Sequence, residues 1–237
     1  MRPHAPSGLG PAALALALAT SACSFGTHYR ARPEFAQTAR SVRTVGLVSP
    51  VVKVYEFTAG GQTVLKDEWS GQGRKAVTDS LRRALAEKGW RVKVVEPTPQ
   101  IKEDLEEMRL LYGDVGPSIV RATYVYPVFP EKYKNFDYSV GPVRKLLEHA
   151  GVDLLVLAYG YDEISSGGRG VVNALNAVLG TGSTGGDSFL NIALIDRNGK
   201  VLWFDVEMAR GSFDLRDPTS ADGFVRRILD RLEPRGS

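Results

Sequence analysis

Apolar and polar positions alternate along this chain with two periods, and the switches between them mark its elements. Val42–Val48 (VRTVGLV) is a short β-rich run, limited by Pro50. Val51–Thr58 then sets Val52, Val54 and Glu56 against Lys53, Tyr55 and Phe57; Gly60-Gly61 supplies a turn and Thr63–Trp69 a return strand, so the pair predicts a β-hairpin. The period lengthens over Gly73–Lys88, where Val77, Leu81, Ala84 and Leu85 share one helical face and Gly89 is the stop. Trp90–Glu96 (WRVKVVE) returns to strand alternation, with Trp90, Val92 and Val94 on one side. Thr98-Pro99 predicts a helix start, and Ile101, Leu105, Met108 and Tyr112 form its stripe; Gly113 and Gly116-Pro117 are expected to end it.

In the second half, Pro142–Ala150 predicts a short helix with Val143, Leu146, Leu147 and Ala150 inward. Asp153–Tyr159 (DLLVLAY) is apolar enough to be a buried central strand. Phe189–Ile195 and Lys200–Glu207 flank Asp196-Arg197-Asn198-Gly199, and Asn-Gly between β-rich runs is a strong hairpin signal. Asp217-Pro218 caps a last helix whose apolar face is Ala221, Phe224, Val225, Ile228, Leu229 and Leu232. This order predicts an α/β fold with α+β character: a mixed β-sheet with helices packed on it, in one domain over residues 42–233, followed by a tail at 234–237.

Two stretches fit neither period. Tyr124, Tyr126, Phe129, Tyr133, Phe136 and Tyr138 are six aromatics in 15 residues, interrupted by Pro127 and Pro130. The prolines oppose a continuous helix or central strand, so this segment reads as an irregular loop or edge. Ile164–Gly186 is rich in Gly and Ser around an apolar island, Val171–Leu179, and reads as a loop.

The N-terminus changes the picture most. Arg2 precedes a short apolar run, Pro11–Ala19, and the small residues Thr20-Ser21-Ala22 lead into Cys23, the one cysteine of the chain. The run Leu9–Cys23 resembles a bacterial lipoprotein signal, with Thr20 where that family usually carries Leu, Val or Ile. The resemblance implies removal of residues 1–22 and lipid on Cys23, which with several acyl chains is a firm anchor. Ser24, rather than Asp, follows the cysteine, and by the same resemblance this points to the outer membrane, with the domain facing the periplasm. An ordinary cleaved signal is the alternative. Residues 23–41, polar and without period, read as a tether.

Composition narrows the function classes. At 237 residues, 43% hydrophobic and 24% charged, the chain suits a folded globular domain. Net charge is +3 with Lys and Arg spread along the chain, so no nucleic-acid partner is expected. Lipidation of the lone cysteine would leave no disulfide, cysteine metal site or cysteine nucleophile.

Candidate chemistry is sparse. Gly180–Gly185 matches G-x-G-x-x-G, yet a strand should precede it and a helix follow, and here the order is reversed. It reads as a loop, and no cofactor is expected. His149 stands alone, so no metal site is expected; Ser139, His149 and Asp153 make a triad only on paper, since no G-x-S-x-G turn presents a serine. Asp162 and Glu163 follow the central strand, where α/β sites often lie, but adjacent extended residues point to opposite faces. The six aromatics, Tyr124 to Tyr138, are the candidate binding residues, because such rings are enriched at interfaces, and Lys132 and Lys134 beside them could meet acidic glycans or headgroups.

A second resemblance covers most of residues 42–233. The opening strand VRTVGLV, the helix ending AEKGW, the buried strand opening DLLV and the strand–turn–strand LNIALIDRNGKVLWFDVE together look like envelope lipoproteins with a TolB-N-terminal-like domain. These include the curli-export, peptidoglycan-synthase-activator and exopolysaccharide-secretion lipoproteins. In that resemblance Gly199 makes the turn and Trp203 packs. It implies a non-enzymatic accessory, assembly or secretion-associated protein that works through an envelope protein partner, often as an oligomer. The aromatic segment and Gly-rich loop depart from the pattern. A periplasmic glycan- or small-ligand-binding module, and an envelope-polymer hydrolase, stand as alternatives.

Overall fold

The computed structural model describes residues 29–125, 130–166, 186–210 and 213–233. Cys23, Tyr126, Phe129, the Gly180–Gly185 motif and the 234–237 tail lie outside them. In chain order the strands are β1 (Arg30–Ala31), β2 (Thr44–Val48), β3 (Val51–Phe57), β4 (Thr63–Leu65), β5 (Arg91–Val95), β6 (Leu154–Ser165), β7 (Asp187–Ile195) and β8 (Val201–Arg210). The helices are α1 (Phe35–Ser41), α2 (Asp67–Glu87), α3 (Lys102–Ile119), α4 (Pro130–Lys134), α5 (Arg144–Ala150) and α6 (Pro218–Leu229). The expected mixed sheet with helices packed on it is the architecture found.

β6 organises the sheet. Its first residues pair in parallel with β2 (Val45↔Leu154) and its later ones with β3 (Val51↔Tyr159 to Phe57↔Ser165). β2 and β3 therefore lie end to end along one edge of β6, separated at Ser49-Pro50, where proline cannot donate to a ladder. β5 extends the sheet beside β2, and β4 beside β3. On its other edge β6 pairs antiparallel with β7, then come β8 and β1. The turn between β7 and β8 holds Gly199 at φ +78°, as the Asn-Gly signal requires.

Each face carries one core layer. Strand alternation sends Leu47, Val54, Val156, Leu190, Ile192 and Trp203 to the side covered by α1, α2 and α6. It sends Leu155, Leu157, Ala193, Phe204 and Val206 to the side covered by α3 and α5. The stripes on α2 (Val77, Leu81, Ala84, Leu85), α3 (Leu105, Met108, Tyr112) and α6 (Ala221, Phe224, Val225, Ile228, Leu229) are all buried. Asp217 caps α6, its carboxylate accepting from the Ser220 N–H at 2.7 Å.

Three expectations need correction. Residues 30–41 belong to the domain, not to a tether. β1 pairs with β8, the Arg32 guanidinium donates to the carbonyls of Val201 and Tyr138 (3.1 Å each), and Phe35 is buried in the first core layer. α2 begins at Asp67, six residues before Gly73. That glycine is a point of close approach instead: a Cβ there would meet Val52 Cγ1 at 3.0 Å. α3 runs through Gly113 and Gly116-Pro117 to Ile119 and continues as a wide π-helical turn over Val120–Val125. Gly116 lets the helix settle on β7, since a Cβ would stand 3.1 Å from Asn191 Oδ1. Pro117 lacks a donor, and the helix widens within a turn after it. No helix of the described residues is long and apolar enough to cross a membrane.

A candidate functional surface on the sheet

Of the candidate aromatics, Tyr124, Phe136 and Tyr138 lie on one face, the one beneath α3. The π-helical turn brings the Tyr124 ring to 6.1 Å from that of Phe204 on β8. Phe136 lies 6.5 Å from Phe204 and 5.4 Å from Tyr138 and is 7% exposed, so it is a core residue rather than a surface ring. Tyr138 is half-buried and carries Lys132 Nζ 5.2 Å from its ring centre, while Lys132 also pairs with Asp137 at 2.5 Å. Tyr133 lies on α4, and its side chain lies outside the described residues. Among the described residues of this segment, Tyr124 and Val125 close the π-helical turn, Pro130–Lys134 form α4, and residues 135–138 are irregular, as expected.

A second aromatic group on that face arises from strand register. Cross-strand neighbours form two rows, Val51–Tyr159–Asn191–Val206 and Lys53–Tyr161–Phe189–Met208. Phe189 stacks on both Tyr159 (5.7 Å, 22°) and Tyr161 (5.5 Å, 17°), and Tyr55 tilts against Tyr161 at 5.2 Å. Tyr55, Tyr161 and Phe189 remain half-buried, offering ring area to solvent. Lys53 Nζ stands 6.0 Å from the Tyr159 ring centre, and the Tyr161 hydroxyl donates to Glu163. Burial pushes the Tyr159 phenol up to about 12, and burial together with the Glu163 hydrogen bond raises Tyr161 further. Both stay protonated at physiological pH. They can stack and donate hydrogen bonds, and they cannot serve as bases.

The polar residues that could carry acid–base chemistry have structural partners. Asp162 and Glu163 point to opposite faces, as two adjacent strand residues must. Asp162 is fully buried under the loop before α6, accepting from Ser188 Oγ at 2.5 Å and the Leu215 N–H at 2.7 Å. Burial pushes its carboxyl up to about 6. Ser139, His149 and Asp153 are not assembled into a triad. Ser139 Oγ donates to the Gly199 carbonyl, His149 Nε2 lies 3.0 Å from Thr98 Oγ1, and Asp153 accepts from the Arg43 and Thr44 N–H groups.

One polar cluster was not anticipated. Asp205 and Glu207, two apart on β8, face Arg227 on α6 and Arg231 in the turn that follows it. Arg231 bonds Asp205 and reaches Glu207 at 3.5 Å, and Arg227 bonds Glu207 at 2.8 Å. The signal is present in the sequence: a period-2 pair of acids matches a period-4 pair of bases. Only the packing of α6 on β8 joins them. Burial pushes the Asp205 carboxyl up to about 6 despite Arg231 beside it. The stacked Tyr161–Phe189 pair could have been seen only with the β6–β7 register in hand.

No family model and no curated protein sequence matches the chain. Solved structures similar to it include the PelC dodecamer of Paraburkholderia phytofirmans, 12% identical over 88% of this chain and 97% of that one, with a TM-score of 0.41. The C-terminal domain of LpoB from Salmonella enterica is 14% identical over 71% of this chain and 84% of its own, at a TM-score of 0.28. LpoB from E. coli, solved by NMR, is 13% identical over 89% and 81%, at 0.24. At these scores the likenesses carry no argument about activity or partners.

Proposed function

We propose that this chain is a lipid-anchored accessory protein of the bacterial cell envelope, held at the outer membrane through Cys23 and acting in the periplasm by protein contact rather than catalysis. The observation that carries the reading is the run Leu9–Cys23, in which the lone cysteine closes a signal-like segment. The commitment of Asp162, Glu163, Ser139, His149 and Asp153 to partners within the fold supports an interaction role. Surface for an envelope partner or a second copy includes Leu110 and Leu111 on α3 and Val64 and Leu65 on the edge strand β4, all more than 40% exposed. Growth with radioactive fatty acid tests the anchor: label is expected on the wild-type chain and absent from Cys23→Ala. Label retained by Cys23→Ala would overturn it. A photocrosslinker at Leu110 or Leu65 in intact envelopes is expected to trap a discrete adduct.

A second reading, a glycan-binding module, is favoured by the half-buried Tyr55–Tyr161–Phe189 stack with Lys53 and Glu163 beside it. Aromatic faces flanked by polar groups suit sugar rings, which are apolar on one face and hydroxylated at the edge. Retention on envelope glycans that falls for Phe189→Ala would support this reading, and identical retention of the two proteins would dismiss it.

A further inference from the structure

We infer that the β1–α1 segment of the domain, residues 29–43, rests on an anionic phospholipid surface. This builds on the Cys23 anchor proposed above. Six residues lie between Cys23 and Arg30, and the seven steps from one to the other span at most about 25 Å when fully extended. Arg30 is already part of the sheet, paired with Phe204, and the Arg32 N–H donates to the Leu202 carbonyl at 2.8 Å. An anchored chain therefore has no long leash. The edge of the sheet itself is tied near the headgroups.

That segment is where the charge of the chain is concentrated. Residues 29–43 (YRARPEFAQTARSVR) hold four arginines against one glutamate, a net charge of +3. The whole chain is also +3, so all other residues together sum to zero. Arg40, in the last turn of α1, and Arg43, between α1 and β2, are exposed, and α1 carries the segment from the β1 edge across the end of the sheet to β2. The Arg32 guanidinium donates to two carbonyls, which orient it without cancelling its charge. Tyr29, 43% exposed and stacked 6.3 Å from Trp203, adds an amphipathic ring at the point of entry. A cluster of arginines next to a lipid anchor matches an anionic bilayer, and the two contacts reinforce each other because the anchor supplies the proximity.

The test uses the chain from Ser24, which retains both core layers, with vesicles of phosphatidylethanolamine plus phosphatidylglycerol or of phosphatidylcholine alone. Sedimentation with the phosphatidylglycerol vesicles is expected, with release at high salt and little binding to phosphatidylcholine. Arg40→Gln with Arg43→Gln is expected to weaken partitioning by about fivefold per arginine. Lys66→Gln with Lys75→Gln, at the start and in the body of α2 and outside this segment, should leave it unchanged. Absent binding, binding indifferent to phosphatidylglycerol, or full binding by the arginine variant would overturn the inference. Fatty-acid labelling of Cys23 reads the anchor separately. A labelled chain whose domain ignores phosphatidylglycerol refutes the docking alone, and an unlabelled chain that binds it refutes the anchor alone.

Discussion

The Tyr112 hydroxyl on α3 donates to Asn191 Oδ1 on β7 at 2.7 Å, a fully buried polar bond between helix and sheet. Desolvation raises the Tyr112 phenol well above its usual range, so it is a fixed donor. Tyr112→Phe strips the Asn191 amide oxygen of that donor in an apolar layer. The expected cost is about 1–3 kcal/mol, read as a lower urea midpoint at unchanged slope. Asn191→Leu with Tyr112→Phe should recover part of it, because no lone polar group then remains.

Asp162 makes stability fall with rising pH over a defined window. Its folded pKa is about 6 against an ordinary 3.8, so the folded state favours the protonated form. That contribution is complete below pH 3.8 and is lost as pH rises through about 6. The shift corresponds to ~3 kcal/mol at most. Asp162→Asn keeps an acceptor for the Leu215 N–H and a partner for Ser188. It is therefore expected to reduce the fall of the unfolding midpoint between pH 4 and pH 7, Asp205 supplying the remainder, and to leave the protein more stable than wild type at neutral pH.

Arg231→Met, just after α6, should be among the most damaging changes to an arginine of the chain. It leaves the Asp205 carboxylate buried with only the Val206 N–H, which predicts a loss of about 3–5 kcal/mol. Adding Asp205→Asn removes the stranded charge and should restore much of the loss. Thermal unfolding of the single and double variants measures this coupling directly.

Gly199→Ala places a Cβ 1.6 Å from the Gly141 carbonyl oxygen, at a φ of +78° that side chains resist. The β7–β8 turn and the strap that leads into α5 cannot both keep their places. A destabilisation of more than about 2 kcal/mol is expected, with chemical-shift changes concentrated around Ser139–Gly141.

What could be read from the sequence was local. Asn198-Gly199 and Asp217-Pro218 specify a turn and a cap within a few residues, and both stand where they were expected. The stripes of α2, α3 and α6 were legible because a helix repeats its face. The helix boundaries near Gly73 and Gly116 were not. Those glycines answer to Val52 and Asn191, residues remote in sequence, and a close approach looks the same in sequence as a stop. β1 is too short to show a period, and Arg30–Ala31 became a strand only because β8 offered an edge. The Tyr161–Phe189 stack depends on a register that no single strand encodes.

The central place of β6 also fixes the order in which the molecule can assemble. Positions 45 and 154 pair, as do 51 and 159, so the middle of the sheet closes a chain of more than 100 residues. The β7–β8 hairpin closes over a tight turn instead. Loop-closure entropy then places the hairpin and the helices early and the docking of β2 and β3 on β6 late. During synthesis, β2 and β3 emerge long before β6 and expose open strand edges in the interval. Refolding from denaturant should therefore show a slow final phase that reports on the β2–β6 and β3–β6 pairing.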